Sequence, residues 1–256
     1  MSGRAFAHGR HVARTAVAVV ACGLCALAAA EFAAAPDPLV TVRGEEAALG
    51  AGWHVVTLPK QKPPVTRYVA ERVDGRLALR VEAQRSYGNL VHTLSGAPPR
   101  ELRWAWRLEQ GNPAIDLRRK DGDDSPVKIC LSFDLSLDKV PFFERELLRL
   151  ARSRSTQPLP AATLCWVWGH GETVGAMLRN VYTPRVRYIV LRGAADALGR
   201  WAEEKRDVEA DFRRAFGDEL GDREALPTVT AVIVAGDADN TGGQSLAFVA
   251  DLSLSP

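Results

Sequence analysis

Between residues 101 and 108 the chain reads Glu-Leu-Arg-Trp-Ala-Trp-Arg-Leu, so Leu102, Trp104, Trp106 and Leu108 alternate with Arg103, Ala105 and Arg107. Successive side chains of a strand point to opposite faces of a sheet, and this two-residue period puts every large apolar group on one side. A helix repeats every 3.6 residues and would scatter them. The segment is therefore read as a half-buried strand.

Similar short runs occur at 53–58, 66–73, 76–83, 87–94, 127–134, 162–168, 186–191, 228–234 and 246–254, separated by turn residues. Asp74-Gly75 between two of them is a two-residue hairpin signature. Two segments break the rhythm. At 141–153, Leu147, Leu148 and Leu150 follow Phe142 and Phe143 at helical spacing, and Pro141 suits a first turn. At 201–216, Trp201, Val208, Phe212 and Phe216 form a stripe that Gly217 would stop. About ten strands with two helical interruptions point to stacked antiparallel sheets. The expected fold is mainly β, an antiparallel β-sandwich of jelly-roll type with two short helices.

The N-terminal stretch reads differently. Arg4, Arg10 and Arg14 precede an apolar run at 15–30 that closes on Ala28-Ala29-Ala30, the form of a secretory signal peptide. Cleavage after Ala30 is expected, because the later small run at 33–35 meets Pro36. Val19-Val20-Ala21-Cys22 also resembles a lipobox, which would place an acyl anchor on Cys22. The protein is thus expected to be periplasmic or secreted, or else a lipoprotein through Cys22. No later stretch approaches the ~20 apolar residues of an integral membrane span. The chain divides into a signal peptide at 1–30, an N-terminal segment at 31–51 and a single sandwich domain at 52–256.

The whole chain holds 33 basic and 31 acidic residues, and the leader carries three arginines and no acid. Removing it leaves a balance of −1, with signs interspersed. That offers no counterion-release footprint for nucleic acid and no polybasic patch for anionic lipid. Neither partner is expected. Cys22 and Cys25 also leave with the leader. Cys130 and Cys165 remain, each inside an apolar strand-like run, and two readings stand open: a disulfide formed in an oxidising compartment, or two buried thiols.

Oxygen-bearing side chains concentrate in two loops. Residues 235–243 read Ala-Gly-Asp-Ala-Asp-Asn-Thr-Gly-Gly between two β-branched runs, the pattern of a hairpin tip bearing Asp237, Asp239 and Asn240. Such a loop can bind a hard cation or a polyol, or cap its own turn. Its opening matches a calcium loop, but the twelfth place is Phe248 and strands flank it, which excludes an EF-hand. Calcium held by Asp237 and Asp239 is left as the one cofactor alternative to none. Residues 120–126, Lys-Asp-Gly-Asp-Asp-Ser-Pro, bring Asp123 and Asp124, and the two loops are expected at one end of the sandwich.

Trp166 and Trp168, like Trp104 and Trp106, lie two apart and share a face. On a concave face they could stack on sugar rings; on the inner face they are core. His170, between Gly169 and Gly171, either lines a cleft or is an ordinary loop residue. The chain has no Gly-x-Ser-x-Gly elbow, His-Glu-x-x-His helix, Walker loop or dinucleotide fingerprint.

The stretch from 52 to 254 resembles the bacterial family catalogued as domain of unknown function 3047. The resemblance is carried by Trp104-Ala105-Trp106-Arg107, Lys120-Asp121-Gly122-Asp123-Asp124, Trp166-Val167-Trp168-Gly169 and Asp237-x-Asp239-Asn240-Thr241. It is carried also by Trp201-x-x-Glu204-x-Arg206-x-Val208-x-x-Asp211-Phe212-x-x-x-Phe216-Gly217. It implies an exported sandwich protein with no established activity. Cys130 and Cys165 lie outside these motifs, so a disulfide rests on this chain alone.

The resulting expectation is an exported, non-catalytic sandwich module that recognises a polar ligand, a glycan or cell-envelope saccharide. Its candidate contacts are Asp123, Asp124, Asp237, Asp239, Asn240, Trp166, Trp168 and His170. One alternative is an envelope-polysaccharide hydrolase or lyase using the clustered aspartates as acid, base or metal ligands. Another is a structural envelope protein with no small ligand.

Overall fold

The computed structural model describes Met1 and residues 32–155 and 159–256. The expected signal peptide beyond Met1, its expected cleavage site and Cys22 lie outside the described residues. A hairpin of β1 (Val40–Arg43) and β2 (Glu46–Leu49) comes first. It is followed by β3 (His54–Val56), β4 (Arg67–Val73), β5 (Arg76–Gln84), β6 (Asn89–Gly96), β7 (Glu101–Gln110) and β8 (Lys128–Phe133). Helix α1 (Phe142–Arg154) leads to β9 (Ala162–Trp168), β10 (Met177–Arg179), β11 (Val186–Arg192) and β12 (Ala202–Asp207). Helix α2 (Val208–Phe216), β13 (Val229–Ala235) and β14 (Gln244–Ser255) complete the chain.

The strands form a β-sandwich of two main sheets, one in the order β10-β11-β9-β8-β13-β6-β3 and one in the order β12-β7-β14-β5-β4. Neighbours run antiparallel except β9 and β11, which are parallel with β10 between them in sequence. The alternation read in β7 is the reason the sheets stack. Leu102, Trp104, Trp106 and Leu108 are buried against Leu164, Trp166 and Trp168 of β9. The indoles interlock, Trp104 with Trp106 at 5.3 Å, Trp106 with Trp168 at 5.5 Å and Trp104 with Trp166 at 5.9 Å between ring centroids. Tilted and edge-to-face pairs of this kind add ~0.5–1.5 kcal/mol each beyond their buried area. Trp166 and Trp168 are therefore core residues, 0% and 1% exposed, and not platforms for a sugar ring.

The Asp74-Gly75 hairpin joins β4 to β5, with φ at +50° and +80°, the doubly positive geometry of a type I′ turn. Two expectations need correction. Residues 202–207 are not helix: Ala202, Glu204 and Arg206 alternate with more exposed neighbours as β12, paired antiparallel to β7. The free edge of β7 offers backbone partners that a helix starting at Trp201 would forgo. The helix begins only at Val208, where the Asp207 side chain caps the Ala210 N–H at 2.9 Å, and Gly217 ends it as expected. The second correction concerns residues 236–243, which form an arch and not a hairpin tip. β13 pairs with β6 and β8 in one sheet, while β14 pairs with β5 and β7 in the other.

Candidate functional site

In β8, Ile129, Leu131 and Phe133 face the core, so Lys128, Cys130 and Ser132 turn to the outer face of the seven-stranded sheet. A second apolar cluster sits there, with Cys165, Val167, Tyr188 and Val190 beneath Ile115 and Leu117 of the long β7–β8 connection. Cys130 and Cys165 are direct partners in the antiparallel β8–β9 pair, and their sulfurs are bonded. Strand adjacency, which sequence could not supply, resolves the open choice in favour of the disulfide.

The two acidic loops meet at the end of this face. Gly236 starts the arch so close to the Pro126 carbonyl that a Cβ there would lie 2.6 Å from its oxygen. This contact draws residues 237–241 onto 123–125. Asp237, 3% exposed, accepts from the Ser125 N–H at 2.6 Å and from the Lys128 ammonium. Burial alone would push the Lys128 pKa down, but the Asp237 carboxylate against it wins and holds it well above the ordinary lysine value.

Asp124 is fully buried and spends both oxygens on the arch. It accepts from the Thr241 N–H at 2.7 Å and hydroxyl at 2.6 Å, and from the Asn240 N–H and side-chain amide, both at 3.2 Å. Asn240 also donates to the Asp123 carbonyl at 3.1 Å. The two loops thus share one end of the sandwich, as their composition suggested, and Asp124 is what sews them together.

Asp123 is 6% exposed and accepts from the Asn180 amide and, at 3.4 Å, from the Tyr188 hydroxyl. Desolvation raises its pKa to about 6, with the Asp237 charge adding to it. Asp239 is also raised to about 6, first by desolvation and then by Asp237 and Asp124. Unlike the other three aspartates, it keeps a buried oxygen, Oδ1, that finds no hydrogen-bond partner among the described residues. The Asp239 charge also helps raise the hydroxyl pKa values of Tyr87 and Tyr182, whose largest cause is burial. Tyr182, 57% exposed, donates to Asn240 Oδ1 at 2.7 Å under the Lys120 ammonium.

His170 does not join this cluster by any hydrogen bond. It lines a cavity of about 220 Å³ at the sandwich mouth with Trp168, Leu108 and Leu198, and its backbone N–H donates to Glu172 at 3.0 Å. The cation reading loses Asp237 to Lys128, and among the described residues no three His, Cys, Asp or Glu side chains are grouped to hold a metal ion. Sequence reasoning missed Lys128, Tyr87, Asn180, Tyr182 and Tyr188. For Lys128 the signal was present: a lone charge between Val127 and Ile129 in an apolar strand needs a buried partner.

The family described as "Protein of unknown function (DUF3047)" matches residues 51–253. No curated protein matches the chain. Among solved structures, the chain is similar to the xyloglucanase domain of NopAA, a type three effector from Sinorhizobium fredii, in complex with cellobiose. That likeness has 8% identity and a TM-score of 0.40, over 85% of this chain and 97% of that one. It is also similar to Trichoderma harzianum endoglucanase 3 from family GH12, at 8% identity and a TM-score of 0.36, over 89% and 97%.

Proposed function

We infer that this chain, which belongs to the DUF3047 family, is an exported, non-catalytic module that recognises a hydroxyl-bearing ligand, a saccharide of the cell envelope. The observation that carries this reading is the unmatched acceptor on Asp239. A buried acceptor left without a donor costs about 1–3 kcal/mol. A ligand hydroxyl that displaces the groups covering Oδ1 recovers that cost on binding, and the exposed Tyr182 beside the arch supplies an aromatic surface for the ring on the face opposite Lys120. The signal-peptide pattern and the Cys130–Cys165 bond both support export, since disulfides persist in oxidising compartments.

A second reading is favoured by one observation, the pair of carboxyls raised to about 6, Asp123 and Asp239. A carboxylic acid that keeps its proton to higher pH than a free aspartate is what glycoside cleavage requires. Asp123, however, is buried and held by Asn180 and Tyr188, which leaves it poorly placed to reach a glycosidic oxygen. Binding is therefore preferred to hydrolysis.

An array of cell-envelope saccharides, probed with the wild-type protein and with Asp239→Ala, tests the choice. Retention of a saccharide by the wild type and its loss in the variant supports recognition through Asp239. Release of new reducing ends from the retained saccharide, abolished by Asp123→Asn, would replace it with the hydrolase reading. An array with no retained saccharide sinks both.

A further inference from the structure

Helix α1 carries apolar residues on two faces, and among the described residues only one of them is covered. Leu148 is its buried residue. Phe143, Leu147 and Leu150 follow at spacings of four and three, which puts them on one face, and they are 81%, 67% and 47% exposed. Phe142, 60% exposed, packs edge-on against Phe143 with ring centroids 5.5 Å apart. Single exposed apolar residues are ordinary on a protein surface, but a contiguous group of large ones marks an interaction site.

The charges around this stripe are mainly positive. The helix holds Arg145, Arg149, Arg152 and Arg154 against Glu144 and Glu146. Glu144 is turned inward onto Arg185, and Glu146 pairs with Arg149 at 2.6 Å and lies near Arg145, so the outer excess rests mainly on Arg152 and Arg154, which have no carboxylate partner among the described residues. Whole-chain neutrality hides this local excess.

We propose that α1 docks this protein onto an anionic lipid surface, lying in the plane of the membrane with Phe143, Leu147 and Leu150 inserted. Phenylalanine and leucine beside arginine are the make-up of interfacial helices, which join apolar insertion to attraction by anionic headgroups. With 13 residues the helix is about 20 Å long, too short to span a bilayer and sufficient to lie on one. A second copy is the poorer occupant, because four arginines outnumber the one outward glutamate on each helix, so a facing copy brings more positive charge than it neutralises.

The test is co-sedimentation with vesicles of phosphatidylcholine alone and of phosphatidylcholine with phosphatidylglycerol. All proteins carry Cys22→Ser, so that acylation there cannot supply the contact, and all are used in the form an expressing bacterium accumulates. The parent should sediment with the anionic vesicles and less with the neutral ones. Phe143→Ser with Leu147→Ser should weaken partition about tenfold, and exposure of both residues keeps the fold intact. Arg149→Gln with Arg154→Gln should reduce the preference for phosphatidylglycerol. Failure of the parent to sediment with anionic vesicles overturns the proposal, as does sedimentation of the serine variant at the parent's level. A parent dimer that the serine changes dissolve, with no vesicle binding, also overturns it and assigns the face to a second copy.

Discussion

Lys128 begins β8, Asp237 lies two residues beyond the end of the neighbouring β13, and their side chains meet as an ion pair only 11% and 4% exposed. The pair joins the acidic arch to the sheet at the place where the chain leaves one sheet for the other. Asp237 is also tied to the Ser125 N–H, so a single carboxylate fixes both loops and the strand between them.

Removing one partner of a buried pair strands the other without a counter-charge, at a cost of about 3–5 kcal/mol. Lys128→Met and Asp237→Asn are each expected to lower the unfolding free energy, read from urea denaturation, by an amount in that range. Together they should cost well under the sum of the single changes, because Asn keeps an acceptor for Ser125 and Met fills the stem of the lysine. Strict additivity in the double-mutant cycle would show that the pair is not coupled.

The Cys130–Cys165 bond closes a loop with a sequence separation of 35. Loop-closure entropy for that length corresponds to about 3–4 kcal/mol of destabilised unfolded state. Cys130→Ala with Cys165→Ala should lose ~2–4 kcal/mol of stability in chemical denaturation. Thiol titration of the unfolded, unreduced wild type should find neither cysteine free. Two titratable thiols there, or equal stability of the two proteins, would contradict the bond as a stabilising element.

The pH dependence has a sign set by Asp123 and Asp239. Both are raised to about 6 in the fold, whereas a free aspartate titrates at ~3.9. Between those values the native state binds more protons than the unfolded chain, so stability falls as pH rises through that window. The depressed carboxyls, Asp116, Asp121, Asp138, Asp218 and Glu101, act below it, losing stability only as pH drops under ~4. Asp239→Asn removes one titration, so the melting temperature of the variant minus that of the wild type should fall from pH 7 to pH 5 as the wild type alone gains stability. A signed difference that is constant, or rises toward pH 5, contradicts the raised Asp239.

Much of the architecture was legible because strand alternation directly encodes faces. Leu102, Trp104, Trp106 and Leu108 announced an inner face, and Asp74-Gly75 announced its turn. Partner choice was not legible, since nothing in residues 229–235 says whether they pair with the next strand or with β6 and β8. β12 escaped because Ala-Glu-Glu-Lys-Arg-Asp has no large apolar residue, and Trp201 and Val208 on either side imitated a helical stripe. At the site, composition brought the two acidic loops together but could not rank the four aspartates. Their roles depend on which oxygens the arch consumes, a property of the folded backbone.

Asp124 and Asp239 carry that ranking in opposite directions. Asp124 accepts four hydrogen bonds from Asn240 and Thr241. An Asn there presents an amide to at least one of those donors. Charge-assisted bonds are worth about 1.5–3 kcal/mol each, so Asp124→Asn should lower the melting temperature by several degrees with or without ligand. Asp239 has a raised pKa and an unmatched Oδ1, so Asp239→Asn removes an unfavourably buried charge and should leave stability at pH 7 equal or slightly higher. Calorimetry of the two single variants separates the roles. A large destabilisation by Asp239→Asn would make it another stitch in the arch and remove the acceptor on which recognition rests, and a neutral Asp124→Asn would show that the arch is held by something other than this carboxylate.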